Sequence, residues 1–240
     1  MNLSLYMGRI TRAVFCLGLI AAALPAQRPR DLTGPRPAPP GATLVIGFLG
    51  GFETWNDPHR GVRRLALDLR ARHLPGVYVE TFRNHRRGLA IQFIREACGQ
   101  PSHCNGVILY GQSWGGAAAI KTARDLERLH IPVDLTVQVD SVGIDDATIP
   151  ANVRAAANLF QHDPLTIQGQ REIHAANPAA TRILENTRQS YFFRPIDKLS
   201  APNAGWARRT LGGSHAKMEL DPMLWQHVEE LILRALNGTL

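Results

Sequence analysis

Gly111-Gln112-Ser113-Trp114-Gly115 sets a serine between two glycines. That spacing presents a nucleophile on a sharp turn between a strand and a helix. A serine hydroxyl attacks poorly until a base takes its proton. His215 is the candidate base, in Gly212-Gly213-Ser214-His215, a glycine-rich loop expected to be flexible. His162 and His174 are the alternatives. His59, His73, His130 and His227 fall on or at the ends of expected helices, and His85 and His103 fall in upstream loops. The base in turn needs an acid to fix its tautomer and stabilise its cation. Asp140 closes an apolar strand and is the candidate; Asp163 is the alternative, while Asp145 and Asp146 read as loop charges. A serine, a histidine and an acid brought together can carry acyl transfer through a covalent acyl-serine.

That chemistry also needs donors for a developing oxyanion. The backbone N–H of Trp114 is one, being next after the serine. The second is expected from Gly51 or Phe52, in Gly47-Phe48-Leu49-Gly50-Gly51-Phe52. Trp55 and Trp114 are candidates for an apolar acyl pocket or for the core. A glycine-rich turn carrying an ordinary serine is the bland alternative to the whole set.

The elements that must hold these residues alternate along the chain. Residues 43–48, 77–82, 107–110 and 133–139 read as buried strands, being short, apolar and rich in β-branched residues. Residues 153–161 balance alanines, which favour helix, against their place in the alternation, and are taken as a strand. Helices are expected from Asp57-Pro58, where Asp caps and Pro opens, over 89–97, over 116–130, and from Asp221-Pro222 to Gly238. Val62, Leu65, Ala66 and Leu69 share one face of the first; Leu224, Val228, Leu231, Ile232 and Ala235 form a stripe on the last. Residues 164–200 are irregular, with Arg182-Ile183-Leu184 as a short strand or helical turn. This is an α/β chain: a mostly parallel sheet with helices on both faces. Ligands then bind beyond the carboxyl ends of the strands, where Gly51, Ser113 and Asp140 all stand.

The 240 residues suffice for one domain with a core, and an apolar share of 45% excludes a wholly disordered chain. Arg9 and Arg12 precede an uncharged run from Ala13 to Leu24, too short to span a bilayer and followed by small residues. Residues 1–26 therefore read as a secretory leader rather than a membrane anchor, with cleavage after Ala26. Residues 27–41 are proline-rich and aperiodic, a linker expected to be extended and mobile. The domain is then 42–240. Losing the leader lowers the formal net charge from +7 to +5. The basic residues are scattered, without an aromatic-interleaved stripe, so nucleic acid is not an expected partner. Cys98 and Cys104 flank a turn-like segment. In an oxidising compartment they favour a disulfide over an incomplete metal site with His103.

Taken together, Gly-Phe-Leu-Gly-Gly, Gly-Gln-Ser-Trp-Gly, Val-Asp-Ser-Val-Gly and Gly-Gly-Ser-His resemble the α/β-hydrolase superfamily, in its small lipase, esterase and thioesterase-like branch. The resemblance runs from about residue 43 to 236. It implies a serine hydrolase without a cofactor or metal. Thioesterase-like members place the acid where Asp140 stands, and many others place it one strand later, where Asp163 stands. No strand precedes Thr43 and the oxyanion loop lacks a His-Gly start, which implies a reduced version of the fold. Residues 141–152 are too few for a large lid. The expected function is a secreted or periplasmic hydrolase of carboxylic esters or thioesters acting on a small acyl substrate. An acyltransferase and a non-catalytic scaffold binding an envelope component are the alternatives.

Overall fold

The computed structural model describes residues 27–99, 104–164, 167–194, 196 and 213–240. The expected leader, His103 and Gly212 lie outside the described residues. Eight strands and five α-helices are described, besides two single 3-10 turns at Pro29–Asp31 and Asn84–Arg86. They follow in the order β1 (Ala42–Leu49), α1 (Gly61–Ala71), β2 (Val77–Arg83), α2 (Arg87–Cys98), β3 (Cys104–Gln112), α3 (Trp114–Arg128), β4 (Val133–Val139), β5 (Thr148–Ile149), β6 (Val153–Gln161), β7 (His174–Ala175), β8 (Arg182–Gln189), α4 (Gly213–Leu220) and α5 (Pro222–Leu236). Six strands form one sheet in the order β2-β1-β3-β4-β6-β8. Every neighbouring pair in it runs parallel. A separate two-stranded parallel pair joins β5 to β7.

Strand side chains alternate between two cores, one on each face of the sheet, as the pleat requires. Val45, Ile108, Tyr110, Val137 and Leu159 pack with α1 and α5. Leu44, Ile46, Phe48, Val107, Leu109 and Ala156 pack with α2 and α3. The expected architecture, a parallel sheet covered on both faces, is therefore present. Residues 153–161 are a strand, buried on both faces because short alanines let helices approach it.

Several local expectations need correction. The first helix begins at Gly61, not at Asp57-Pro58. Asp57 instead closes a turn: its Oδ1 accepts from the amide of His59 at 3.0 Å and its carbonyl from the amide of Arg60 at 3.2 Å. Residues 182–189 form a full edge strand that the sequence hides. Its side chains are mostly polar because one strand neighbour and open solvent suit them.

The proline-rich stretch 27–41 is not a free tether. Leu32 and Ala38 are buried, and the amide of Ala38 donates to the carbonyl of Ala97. The buried Glu80 carboxylate collects the amides of Thr33 and Gly34 at 2.6 and 2.8 Å, the Thr33 hydroxyl at 2.7 Å and Arg70 at 2.9 Å. Leaving a buried carboxylate without donors is costly, so this segment completes the domain. Proline stiffness lowers the entropy lost in holding it there.

Cys98 and Cys104 are disulfide-bonded, with Cα atoms 4.9 Å apart. The bond ties the end of α2 to the start of β3. Among the described residues, no helix is long and apolar enough to cross a membrane.

Candidate active site

Ser113 stands between β3 and α3 with φ +58° and ψ −126°. A side chain in that region is strained and survives where the surroundings force it. Here close approach of strand and helix does the forcing. A Cβ on Gly115 would lie 1.9 Å from the carbonyl oxygen of Phe48. One on Gly111 would lie 2.3 Å from the carbonyl oxygen of Gly115, and one on Gly116 would lie 2.7 Å from Ser141. The backbone of Ser113 is stitched to the neighbouring strand end. Its N–H donates to the carbonyl of Val139 at 2.9 Å, and its carbonyl accepts from Val142 at 3.1 Å.

That stitching fixes the distance from Ser113 to Asp140, which directly follows β4. Asp140 is fully buried, with φ +42°. Each of its oxygens meets two donors. Oδ1 accepts the amides of Gln161 at 3.1 Å and Gly169 at 3.0 Å. Oδ2 accepts Gln161 Nε2 at 2.9 Å and faces His215 Nδ1 at 2.6 Å. Four donors around one buried carboxyl group are the surroundings a carboxylate requires. Gly169 must be glycine for this approach, since a Cβ there would stand 2.2 Å from Oδ1.

His215 Nε2 lies 3.0 Å from Ser113 Oγ. With Asp140 accepting at Nδ1, the proton sits on Nδ1 and Nε2 is free to accept from the serine hydroxyl. The histidine is not on a loop. It is the third residue of α4, a helix whose start is held by Ser214. Ser214 Oγ donates to Asp163 Oδ2 at 2.5 Å. Asp163 also accepts from Ser190 Oγ at 2.9 Å and from the amide of Tyr191 at 2.6 Å. Burial pushes the Asp163 carboxyl up, but the bonds from Ser214, Tyr191 and Ser190 outweigh it and hold the group below its ordinary value. The structure thus brings Asp140, not Asp163, to His215.

The other sequence candidates lie elsewhere. His162 is half-buried and bonded to Arg171, and His174 faces the Thr148 hydroxyl at 2.9 Å. Asp146 is no loop charge: it is buried and accepts from the Ser141 hydroxyl at 2.5 Å. Trp55 is packed against the core beside Arg63. Trp114 is half-exposed and stacks edge-on with Phe52, centroids 5.6 Å apart.

The loop after β1 closes over the serine. The amide of Gly50 donates to Glu53 Oε2 at 3.1 Å and the amide of Glu53 to the carbonyl of Gly50 at 3.1 Å. Asn84 Nδ2 holds the carbonyls of Leu49 and Gly51 at 3.2 and 2.6 Å. Gly51 adopts φ +39°. A pocket of about 280 Å³ opens here, lined among others by Gly51, Glu53, Ser113, Trp114, His215 and Glu219.

No family model matches the chain, and no curated protein sequence does. The chain is similar in structure to the thioesterase domain that cyclises the lipopeptide antibiotic surfactin. That likeness has 15% identity and a TM-score of 0.43, covering 88% of this chain and 94% of that one. It is also similar to the NocB thioesterase domain in covalent complex with a fluorophosphonate nocardicin G analogue, at 14% identity and a TM-score of 0.42, covering 87% of this chain and 97% of that one. A hydrolase of the alpha/beta superfamily from Xanthomonas campestris pv. campestris is similar at 14% identity and a TM-score of 0.39, covering 80% and 98%.

Gln161, Gly169, Asn84, Glu53 and Glu219 were not singled out by the sequence. Their signal is weak for a physical reason. Gln161, Gly169 and Asn84 act through neighbours remote in sequence, and none of the five carries a spacing motif of its own.

Proposed function

We propose that this protein is a serine hydrolase of carboxylic esters or thioesters, with Ser113 as nucleophile, His215 as base and Asp140 as its acid. The observation carrying the reading is the continuous chain Ser113 Oγ–His215 Nε2 at 3.0 Å and His215 Nδ1–Asp140 Oδ2 at 2.6 Å, with the serine on a strained strand-to-helix turn.

In this reaction Nε2 takes the hydroxyl proton as Oγ attacks the carbonyl carbon. The Nδ1–H remains bonded to Asp140, which stabilises the imidazolium. The developing oxyanion faces the amide of Trp114 and that of Gly51 or Phe52. The neighbouring Gly50 amide is already committed to Glu53. Among the described residues no hydrogen bond engages those three amides, so they are free to donate. The N-terminus of α3 adds its positive dipole end at the same point. The imidazolium then protonates the leaving alcohol or thiol, leaving an acyl-serine. Water, deprotonated by His215, releases the acid.

The leader pattern and the Cys98–Cys104 bond support action outside the cytoplasm, in the periplasm or secreted. The test is labelling with a fluorophosphonate probe. Wild type is expected to label at one site and Ser113→Ala not at all; equal labelling of the two ends the proposal. An acyl-ester chain-length series then defines the substrate.

A further inference from the structure

Beside Ser113 and His215 the same pocket holds Glu53 and Glu219. Glu53 belongs to the loop after β1; Glu219 stands one helical turn after His215 on α4, on the same side of that helix. Arg60 joins them. Its Nη1 lies 3.2 Å from Glu53 Oε1 and 3.4 Å from both Glu219 oxygens, while its Nε reaches Asp57 at 3.2 Å. The carboxyl group of Glu53 thereby serves two ends at once. Oε2 accepts the Gly50 amide, and the other side of the group meets Arg60 and Glu219. Behind Glu219 its own carbonyl accepts from Trp225 Nε1 at 2.8 Å, which anchors α4 to α5.

We propose that Glu53, Arg60 and Glu219 form a clamp that sets the oxyanion loop at a fixed distance from the helix carrying His215, making Glu53 a positioning residue for the reaction. The idea rests on the hydrolase reading above. Gly50-Gly51-Phe52 has little side-chain packing of its own: Phe52 is 80% exposed and a Cβ on Gly51 would meet nothing within 4 Å. A loop with so few apolar contacts needs a polar anchor to hold amides where an oxyanion will form. Asn84 is one such anchor, through the carbonyls of Leu49 and Gly51; the clamp adds a second, from the element that carries His215.

Among the described residues, the charged and titratable groups facing Glu53 are Glu219 on α4 and Arg60 before α1, with His215 lining the same pocket; Asp57 lies on the far side of Arg60, bonded to its Nε. Two carboxyl groups flank one guanidinium, so the pair closes best with one proton between them. Burial and the charge of Glu219 accordingly raise Glu53 to about 8, against the pull of Arg60. Above that pH the two carboxylates repel and the loop loosens.

The experiment measures kcat and KM from pH 5 to 10 for wild type, E53A, E53Q, E219A and the E53A/E219A double variant. In parallel it follows hydrogen exchange of segments 48–55 and 213–220. E53A is expected to lower kcat roughly 10- to 100-fold with KM within about threefold, as for misplaced oxyanion donors. E53Q keeps the acceptor for Gly50 and should recover most of that loss while lacking the fall in kcat near pH 8. The double variant should be no worse than the poorer single one. Exchange should quicken in both segments of E53A, and in wild type above pH 8. Additive kcat losses, or exchange unchanged in the helix segment when Glu53 is altered, would overturn the clamp. A wild type that neither labels nor hydrolyses would sink the hydrolase reading instead, and the exchange data would still judge the clamp.

Discussion

Ser214 Oγ donates to Asp163 at 2.5 Å, one residue before the histidine that faces Ser113. The two aspartates that the sequence left in competition thus have different jobs. Asp140 touches the imidazole; Asp163 holds the helix start from which the imidazole projects.

Asp140→Asn is expected to reduce kcat by about 10⁴-fold, because an amide favours the wrong imidazole tautomer. Asp163→Ala should leave Ser214, Ser190 and the Tyr191 amide without their acceptor, costing about 1–3 kcal/mol of stability. Its effect on kcat should be far smaller than that of Asp140→Asn. Urea midpoints and turnover on the same preparations separate the two. A larger turnover loss at Asp163 would reverse the assignment.

Stability should depend on pH in opposite senses through Asp163 and Glu53. The folded state holds Asp163 below its ordinary 3.8. Its contribution is present above that value and is lost as pH falls through the folded one. Glu53 is raised from 4.5 to about 8. The folded state binds its proton more tightly, so its contribution is full below pH 4.5 and is lost as pH rises toward 8. Melting temperatures from pH 2 to 9 check both signs. The deficit of Asp163→Asn should shrink at the acid end, and Glu53→Gln should gain on wild type between pH 5 and 8.

Gly115→Ala and Gly51→Ala test two kinds of glycine. The first drives a Cβ to 1.9 Å from the Phe48 carbonyl oxygen, and backbone on both sides leaves no room to yield. Overpacking of this sort costs about 1–3 kcal/mol, and fluorophosphonate labelling should fall with it. The second meets open space and pays only for φ +39°, about 1 kcal/mol. Equal effects in thermal melts would contradict the close approach at the elbow.

The Cys98–Cys104 bond closes a short loop, with a sequence separation of 6. Chain entropy for so short a loop gives about 2 kcal/mol. Replacing both cysteines by serine should lower the urea midpoint accordingly and leave kcat nearly unaltered, since α2 and the start of β3 lie far from the strand ends that carry Ser113 and Asp140.

Legibility followed burial. Strands such as 107–110 and 133–139 announce themselves because both faces are covered and apolar residues fill both. The edge strand 182–189 does not, because exposed positions take Glu, Asn, Arg and Gln without penalty. Asp57-Pro58 carries a helix-opening signature, yet Asp57 spends its carboxylate on a turn and on Arg60, so the helix starts later. Proline content marked residues 27–41 as a linker. Only the buried Glu80 carboxylate, far along the chain, explains why they pack.

The sequence by itself determined the parallel α/β architecture, the serine on its glycine-flanked turn, and the chain order of Ser113, its two candidate aspartates and His215. These depend on local volume and on periodicity, which neighbouring residues encode. The tertiary structure decided which aspartate meets His215, that His215 rides on a helix, and that Glu53, Arg60 and Glu219 meet at all. Those outcomes depend on where the ends of different strands and helices converge, and charges distant in the chain acquire partners only when the sheet has brought them together.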